Sequence, residues 1–270
     1  MWKRLKKNKL AMFGLIVLVL LGILAVFAPL FSTYDPDDII ESDTMPPSWH
    51  HLFGTDDLGR DVFSRILFGA RISLTVGFVA VSIAVMIGIT MGAIAGYYGG
   101  LIESAIMRFS DLMLSFPTIF LILAVQSVLI PNIYNVMVVI GITSWMGVCR
   151  LVHGEFLTLK ERDYVEAARA IGASNFSIIF RHILPNAIAP IVVAATLGIS
   201  GAILTESALS FFGLGVQPPM ASWGSMLMDA QAYMFDAPWM VAIPGLLIMI
   251  TVLSFYFVGE GLREALNPKE

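Results

Sequence analysis

Six stretches without a single charged residue punctuate this chain: Leu10–Phe31, Ile72–Gly100, Leu112–Pro131, Ile133–Cys149, Ala187–Thr205 and Pro238–Gly259. A helix crossing the hydrocarbon core of a bilayer needs about 20 apolar residues, and each stretch meets or nearly meets that length. Backbone N–H and C=O groups have no water to pair with in hydrocarbon, so runs of this kind fold as helices that satisfy their own hydrogen bonds. The composition agrees. The chain is 57% hydrophobic and 13% charged with mean hydropathy +0.83, against roughly 45–50% and 25% in soluble domains. The expectation is an all-α integral membrane protein with six transmembrane helices.

The first run follows Lys3, Arg4, Lys6, Lys7 and Lys9. Its apolar core is too long for a signal peptide, and Pro29 would follow the small-residue site at Ala28, so it is read as a retained helix. Lys and Arg accumulate in cytoplasmic segments. With the basic N-terminus inside, inner segments hold thirteen of the 16 Lys and Arg, Arg263 and Lys269 among them, and leave Arg60, Arg65 and Arg71 outside. Both termini and the polar island near Glu166 are therefore expected in the cytosol. Cys149 has no partner for a disulfide and is read as a small packing residue.

Two extracytoplasmic excursions interrupt the runs. The first carries acids and prolines from Asp35 to Pro47, then Val62, Phe63, Ile66 and Leu67 on one helical face, which reads either as a short interfacial helix leading into the second span or as a plain amphipathic turn before it. The second, near Phe211–Ala237, is rich in Gly and Pro and holds Trp223 and Asp229. It reads either as the outer mouth of a pathway or as a structural cap. Glu206 ends the fifth run; an acid there either serves a pathway or is solvated or capped near the boundary. Asp111, at the start of the third run, is expected to pair with Arg108 at i,i+3.

Ala80, Ala84, Gly88, Gly92 and Gly96 form a small-residue ladder in the second span, and Pro190, Ala194, Gly198 and Ala202 form another in the fifth. Such ladders permit close helix approach, here within this bundle or against a second subunit. No phosphate-cradling G-x-x-x-x-G-K-[ST] sequence, no H-E-x-x-H and no Cys/His cluster occurs. The spans lack the chains of Asp, Glu and His that a proton relay needs. Adjacent His50 and His51 point apart in any regular element, so no metal site is expected. Energy for any transport step must come from a partner.

Between the fourth and fifth runs lies a helix-prone polar island. Arg162–Glu166 and Glu166–Arg169 are spaced for local ion pairs, alanines 167, 168 and 170 favour helix, and Gly172 suits a left-handed terminus. Ser174 is a candidate N-cap for a second helix bearing Phe176, Ile179, Phe180 and Ile183, which Pro185 is expected to end. The outcome is a two-helix elbow. Taken alone, it is either a self-packed loop or a docking corner with Glu166 at its edge.

The island resembles the "EAA" loop of bacterial ABC-importer permeases. Glu166, Ala167, Ala168, Gly172, Leu184 and Pro185 match that pattern, while His182 stands at an isoleucine position, a departure shared with the peptide-permease branch. The runs Phe53–Asp61, Gly69–Leu74, Leu209–Pro219 and Ser222–Gly224 resemble the same branch, the "C" permease of dipeptide, oligopeptide and nickel importers. The resemblance implies a type I importer bundle with residues 1–31 as N-terminus and first helix, 32–71 as extracytoplasmic loop, and 72–270 as a five-helix core including a coupling loop at 153–186. It implies a bacterial inner-membrane location, a non-catalytic chain without cofactor, a second homologous permease, two ATPase subunits that bind ATP and Mg, a binding protein, and no nucleic acid. Short peptides are the implied cargo, with nickel or a metal chelate as the alternative and a self-sufficient carrier or channel as the competing class. On this reading Ser174 and His182 join the matched residues in ATPase coupling. Glu206, Trp223 and Asp229 are assigned to the pathway or outer gate, and Asp57, Arg60 and Asp61 to contact with the binding protein.

Overall fold

The computed structural model describes residues 2–266, so Lys269 lies outside the described residues. Helices account for the membrane portion: α1 (Trp2–Leu5), α2 (Lys9–Val26), α3 (Ala28–Phe31), α4 (Val62–Tyr98), α5 (Gly100–Leu114), α6 (Thr118–Gln126) and α7 (Ile133–Leu159). They continue as α8 (Asp163–Ala170), α9 (Asn175–Ser177), a π-helical segment Ile178–Ile183, α10 (Leu184–Phe211), α11 (Trp223–Asp229), a 3₁₀ turn Ala230–Tyr233 and α12 (Trp239–Leu266). Among the described residues, five stretches are long and apolar enough to cross a membrane: α2, α4, α7, the continuous 175–211 unit and α12.

The third apolar run does not form one straight helix. In place of one straight span, α5 and α6 meet at a bend of 84°. Pro117 N-caps α6 and has no N–H to continue a helix from α5, and the residue before a proline is disfavoured in the α region. The nine residues of α6 reach about 13 Å at 1.5 Å per residue, too little to cross alone. A sixth span exists only if the bent pair is counted as one. Asp111 pairs with Arg150 of α7 instead of with Arg108, and Glu103 holds His153 at 2.8 Å. These contacts tie α5 across α7.

The predicted interfacial helix is instead the first turns of α4, a single helix of 37 residues. Asp61 caps it, accepting from the Ser64 N–H at 2.8 Å. At 1.5 Å per residue it spans about 55 Å, well beyond a hydrocarbon core of about 30 Å, so it is longer than a crossing requires.

The α4 ladder packs within this chain. A Cβ on Gly88 would meet the Trp145 carbonyl at 3.0 Å, on Gly92 the Cys149 carbonyl at 2.5 Å, and on Gly96 the His153 carbonyl at 2.9 Å. Every fourth residue of α4 thus lets the α7 backbone in, which makes α4–α7 the most extensive helix contact of the fold. Cys149 is fully buried there. In the other ladder, Gly198 faces Val81 of α4 at ordinary contact distance and Pro190 and Ala194 are half-buried. Helix α12 packs on α10 and α2, with Gly14 of α2 set against the Ser254 carbonyl.

Candidate coupling elbow and outer charge cluster

Helix α7 ends at Leu159, and Lys160 Nζ donates to the Gly96 carbonyl at 3.1 Å, fastening the exit to the C-terminal end of α4. Helix α8 then begins at Asp163, as its helix-favourable composition predicts. Its fate is set at the C-terminus. Gly172 has φ +82°, its N–H donates to the Arg169 carbonyl at 3.0 Å, and the Ala173 N–H donates to the Ala168 carbonyl at 3.0 Å. This pair of bonds is the Schellman arrangement, and it needs a left-handed residue at the glycine.

Only one face of α8 is anchored. Val165 and Ala168 are buried against Val152, Phe156, Ile178 and Ile183, while Glu166, Ala167, Arg169 and Gly172 are exposed. The matched alanines therefore divide: Ala168 holds the helix down and Ala167 faces out beside Glu166. Among the described residues Glu166 forms no ion pair, which corrects the expected pairing with Arg162 and Arg169. Arg169 lies over the Tyr97 ring at 5.8 Å instead, and Tyr97 donates its hydroxyl to Asn175 Oδ1 at 2.8 Å. The end of α4 thus grips both arms of the elbow.

Ser174 caps the second arm, accepting from the Ser177 N–H at 3.3 Å. Pro185 does not end that arm. Residues 175–211 form one continuous helical unit in which the π segment precedes the proline. A proline inside an α-helix removes a bond and clashes with the carbonyl four residues back. Here the wider turn carries the Leu184 N–H to the Ile179 carbonyl, and Asn186 Nδ2 donates to the His182 carbonyl at 2.7 Å. Both adjustments accommodate the ring without redirecting the chain. Within the arm Ile179 and Ile183 are buried, His182 and Leu184 are half-buried, and Phe176 and Phe180 stand outside in mutual contact, ring centres 4.4 Å apart. Ile171, 85% exposed at the corner, escaped the sequence reading because a single apolar residue beside a glycine has no periodicity to reveal it.

At the N-terminal end of α4, Arg60 and Arg65 are buried at 8% and 2% exposure. Asp56 bonds Arg60 Nε at 2.7 Å and lies 3.4 Å from Arg65 Nε, Asp229 lies 3.9 Å from both guanidinium groups, and Asp37 lies 3.7 Å from Arg65. Asp61 is 1% exposed and, besides capping α4, accepts from the Ser64 hydroxyl and sits 3.0 Å from His51 Nδ1. Arg60 and Asp61 thus face inward and hold the first excursion onto α4 and α11; they offer no free surface in this conformation. Asp57 is half-buried with one carboxylate oxygen unpaired. Burial first, and the neighbouring Asp56 second, push its carboxyl above the usual aspartate range. Burial likewise raises Asp229, with Arg65 opposing.

Trp223 and Glu206 are also interior. Trp223 is fully buried, its indole N–H donating to the Ile66 carbonyl at 3.2 Å and its backbone N–H to Ser73 Oγ at 3.3 Å. Glu206 is fully buried, accepting from the Ser210 hydroxyl at 2.7 Å and the Ser73 hydroxyl at 3.5 Å. Neither lines an open passage in this chain. Together they lock α10, α4 and α11 into one block.

Residues 88–270 match the family model described as binding-protein-dependent transport system inner membrane component, and residues 1–47 match the N-terminal TM domain of oligopeptide transport permease C. The chain is 48% identical over 269 residues to the dipeptide transport system permease protein DppC of Alkalihalophilus pseudofirmus, covering 99% of this chain and 88% of that protein. It is 42% identical over 275 residues to the oligopeptide transport system permease protein OppC of Bacillus subtilis, covering 100% and 90%. Against the glutathione transport system permease protein GsiD of Pectobacterium atrosepticum it is 44% identical over 271 residues, covering 99% and 90%. An inward-facing structure of the MetNI methionine ABC transporter shares the fold, with TM-score 0.62, 20% identity, and coverage of 76% of this chain and 97% of that one. The chain therefore belongs to the binding-protein-dependent transport system inner membrane components, and is a multi-pass, non-catalytic permease subunit of an ABC importer in the bacterial inner membrane.

Proposed function

We propose that this permease moves short peptides inward as one of two homologous membrane subunits, and that the elbow at Glu166–Gly172 receives the push of cytosolic ATPase subunits. The observation that carries this reading is the elbow's construction. Exposed Glu166 and Ala167 stand on a helix whose other face is buried, and the corner runs without interruption through the continuous 175–211 unit to the outer side. Movement of α8 is thereby conveyed to α10 as a rigid displacement, since packed interiors deform little under load. The terminal loops are assigned to the cytosol on the distribution of Lys and Arg.

Peptide cargo draws its support from the dipeptide, oligopeptide and glutathione permeases that this chain is similar to. Nothing in the described residues favours nickel over these. Residues 1–31, 32–71 and 72–270 are taken as N-terminal helix, outer loop and core, with 153–186 as the coupling loop. Arg60 and Asp61 are buried, so of the three only half-buried Asp57 keeps surface that a binding protein could meet.

Co-expression with the ATPase subunits tests the reading. Glu166→Lys and Gly172→Pro should abolish or sharply weaken ATPase co-purification and vanadate-sensitive peptide uptake while the permease still reaches the membrane. Intact association and uptake in both variants would exclude a coupling role for the elbow.

A further inference from the structure

Three arginines stand on the outer side, and the fold treats one of them differently. Arg60 and Arg65 are buried among Asp56, Asp229 and Asp37. Arg71, less than two turns further along α4, is exposed and has no carboxylate in ion-pair range among the described residues. Its guanidinium carbon lies 6.0 Å from the centre of the Phe68 ring.

Arg71 lines a groove of about 360 Å³ with Phe68, Thr75, Tyr134, Met137 and Met220. That volume falls within the range of small-molecule sites, which runs from about 300 to 1,000 Å³. Its walls are the early turns of α4, the outer end of α7 and pieces of both extracytoplasmic excursions, Pro36–Asp37 and Met220–Ala221. Asp37 is the one carboxylate lining it and is already held by Arg65 at 3.7 Å. The groove's uncommitted charge is therefore positive, set among aromatic and thioether side chains. A guanidinium matches a carboxylate with two parallel hydrogen bonds, and the surrounding walls suit variable apolar side chains.

We propose that Arg71 and this groove form an anchoring subsite for the free α-carboxylate of a peptide entering from the outer side. The inference rests on the peptide-permease reading above. A lipid phosphate is the other anion at this depth, but two walls come from the water-facing excursions, the route of a soluble cargo.

The test uses the assembled transporter in vesicles of phosphatidylethanolamine with and without phosphatidylglycerol. Dialanine and its C-terminal amide are each supplied as loaded binding protein, and uptake is expressed as variant over wild type. Arg71→Gln should lower dialanine uptake about ten-fold or more, the scale of one lost charged contact, and amide uptake by less than about two-fold. Arg71→Lys should retain most dialanine uptake. Should Arg71→Gln fail to assemble, Arg71→Cys provides the same test, because Cys149 is fully buried and spares the rest of the chain from modification. A cationic thiosulfonate should restore its dialanine uptake and an anionic one should not. Equal losses for acid and amide would overturn the proposal in favour of an ion pair with a neighbouring subunit. A deficit that follows phosphatidylglycerol content would overturn it in favour of lipid, and unchanged uptake would overturn it outright. If wild type transports neither cargo, the peptide reading itself fails and the subsite falls with it.

Discussion

At Gly172 the backbone adopts φ +82° with no heavy atom within 4 Å of where a Cβ would sit. Substitution there meets no clash, so its cost is purely conformational. Gly172→Ala should destabilise the elbow by about 1–2 kcal/mol, the cost of left-handed backbone for a residue with a Cβ, with a matching loss of coupled uptake. Hydrogen exchange at Ala173, whose N–H closes the turn, is the direct measurement. Asp61 is constrained by its contacts instead. Asp61→Ala removes the cap of α4 and the partner of His51, and should cost about 1–2 kcal/mol in thermal unfolding in detergent. Asp57 predicts the opposite sign. Its folded pKa is raised, so the folded state holds its proton to higher pH than the unfolded chain. That contribution is full below the ordinary aspartate value and is lost as pH rises through the folded value. Asp57→Asn should therefore raise the melting temperature at neutral pH, and the gain should shrink on acidification towards pH 4.

Among the elements, the α4–α7 pair carries the sharpest prediction. A Cβ at Gly92 would already press on the Cys149 carbonyl at 2.5 Å, so Gly92→Val should separate the helices at a cost of about 1–3 kcal/mol. Lowered detergent stability and reduced recovery of folded protein would register it. The repeat of small residues made this ladder legible in the sequence, although its partner was not, because spacing identifies a face and not what covers it. Gly172 and Ser174 were legible for a related reason: helix termini are local, and their chemistry is written within a few residues. The bend at Pro117 and the passage through Pro185 were misread in opposite directions. Each proline offered a break, and what decided was whether neighbouring turns could rearrange. A π segment did so at 178–183, and nothing did so at 115–117. Arg60 and Asp61 were taken for surface because nothing along the chain shows Asp61 turning inward to His51 or Asp229 folding back against Arg60.

Taken whole, the molecule joins two tightly held ends through long helices. One end is locked by buried Glu206, Trp223 and the Arg60–Arg65 cluster, and the other by the grip of Tyr97 and Lys160 on the elbow. Stiff ends joined by continuous helices are what a subunit driven from one side by a partner requires. On the coupling proposed above, the drive would act at the exposed corner of Glu166 and Ala167. Ala167 is exposed, so Ala167→Trp should leave the melting temperature of the assembled membrane subunits unchanged. In vesicles containing the complete importer, the decisive measurement is ATP hydrolysis stimulated by loaded binding protein, taken together with peptide uptake. Both should fall together by about ten-fold or more in Ala167→Trp, while wild-type stability is preserved. Full stimulation and full uptake in that variant would contradict the assignment of the elbow as the point where the ATPases act.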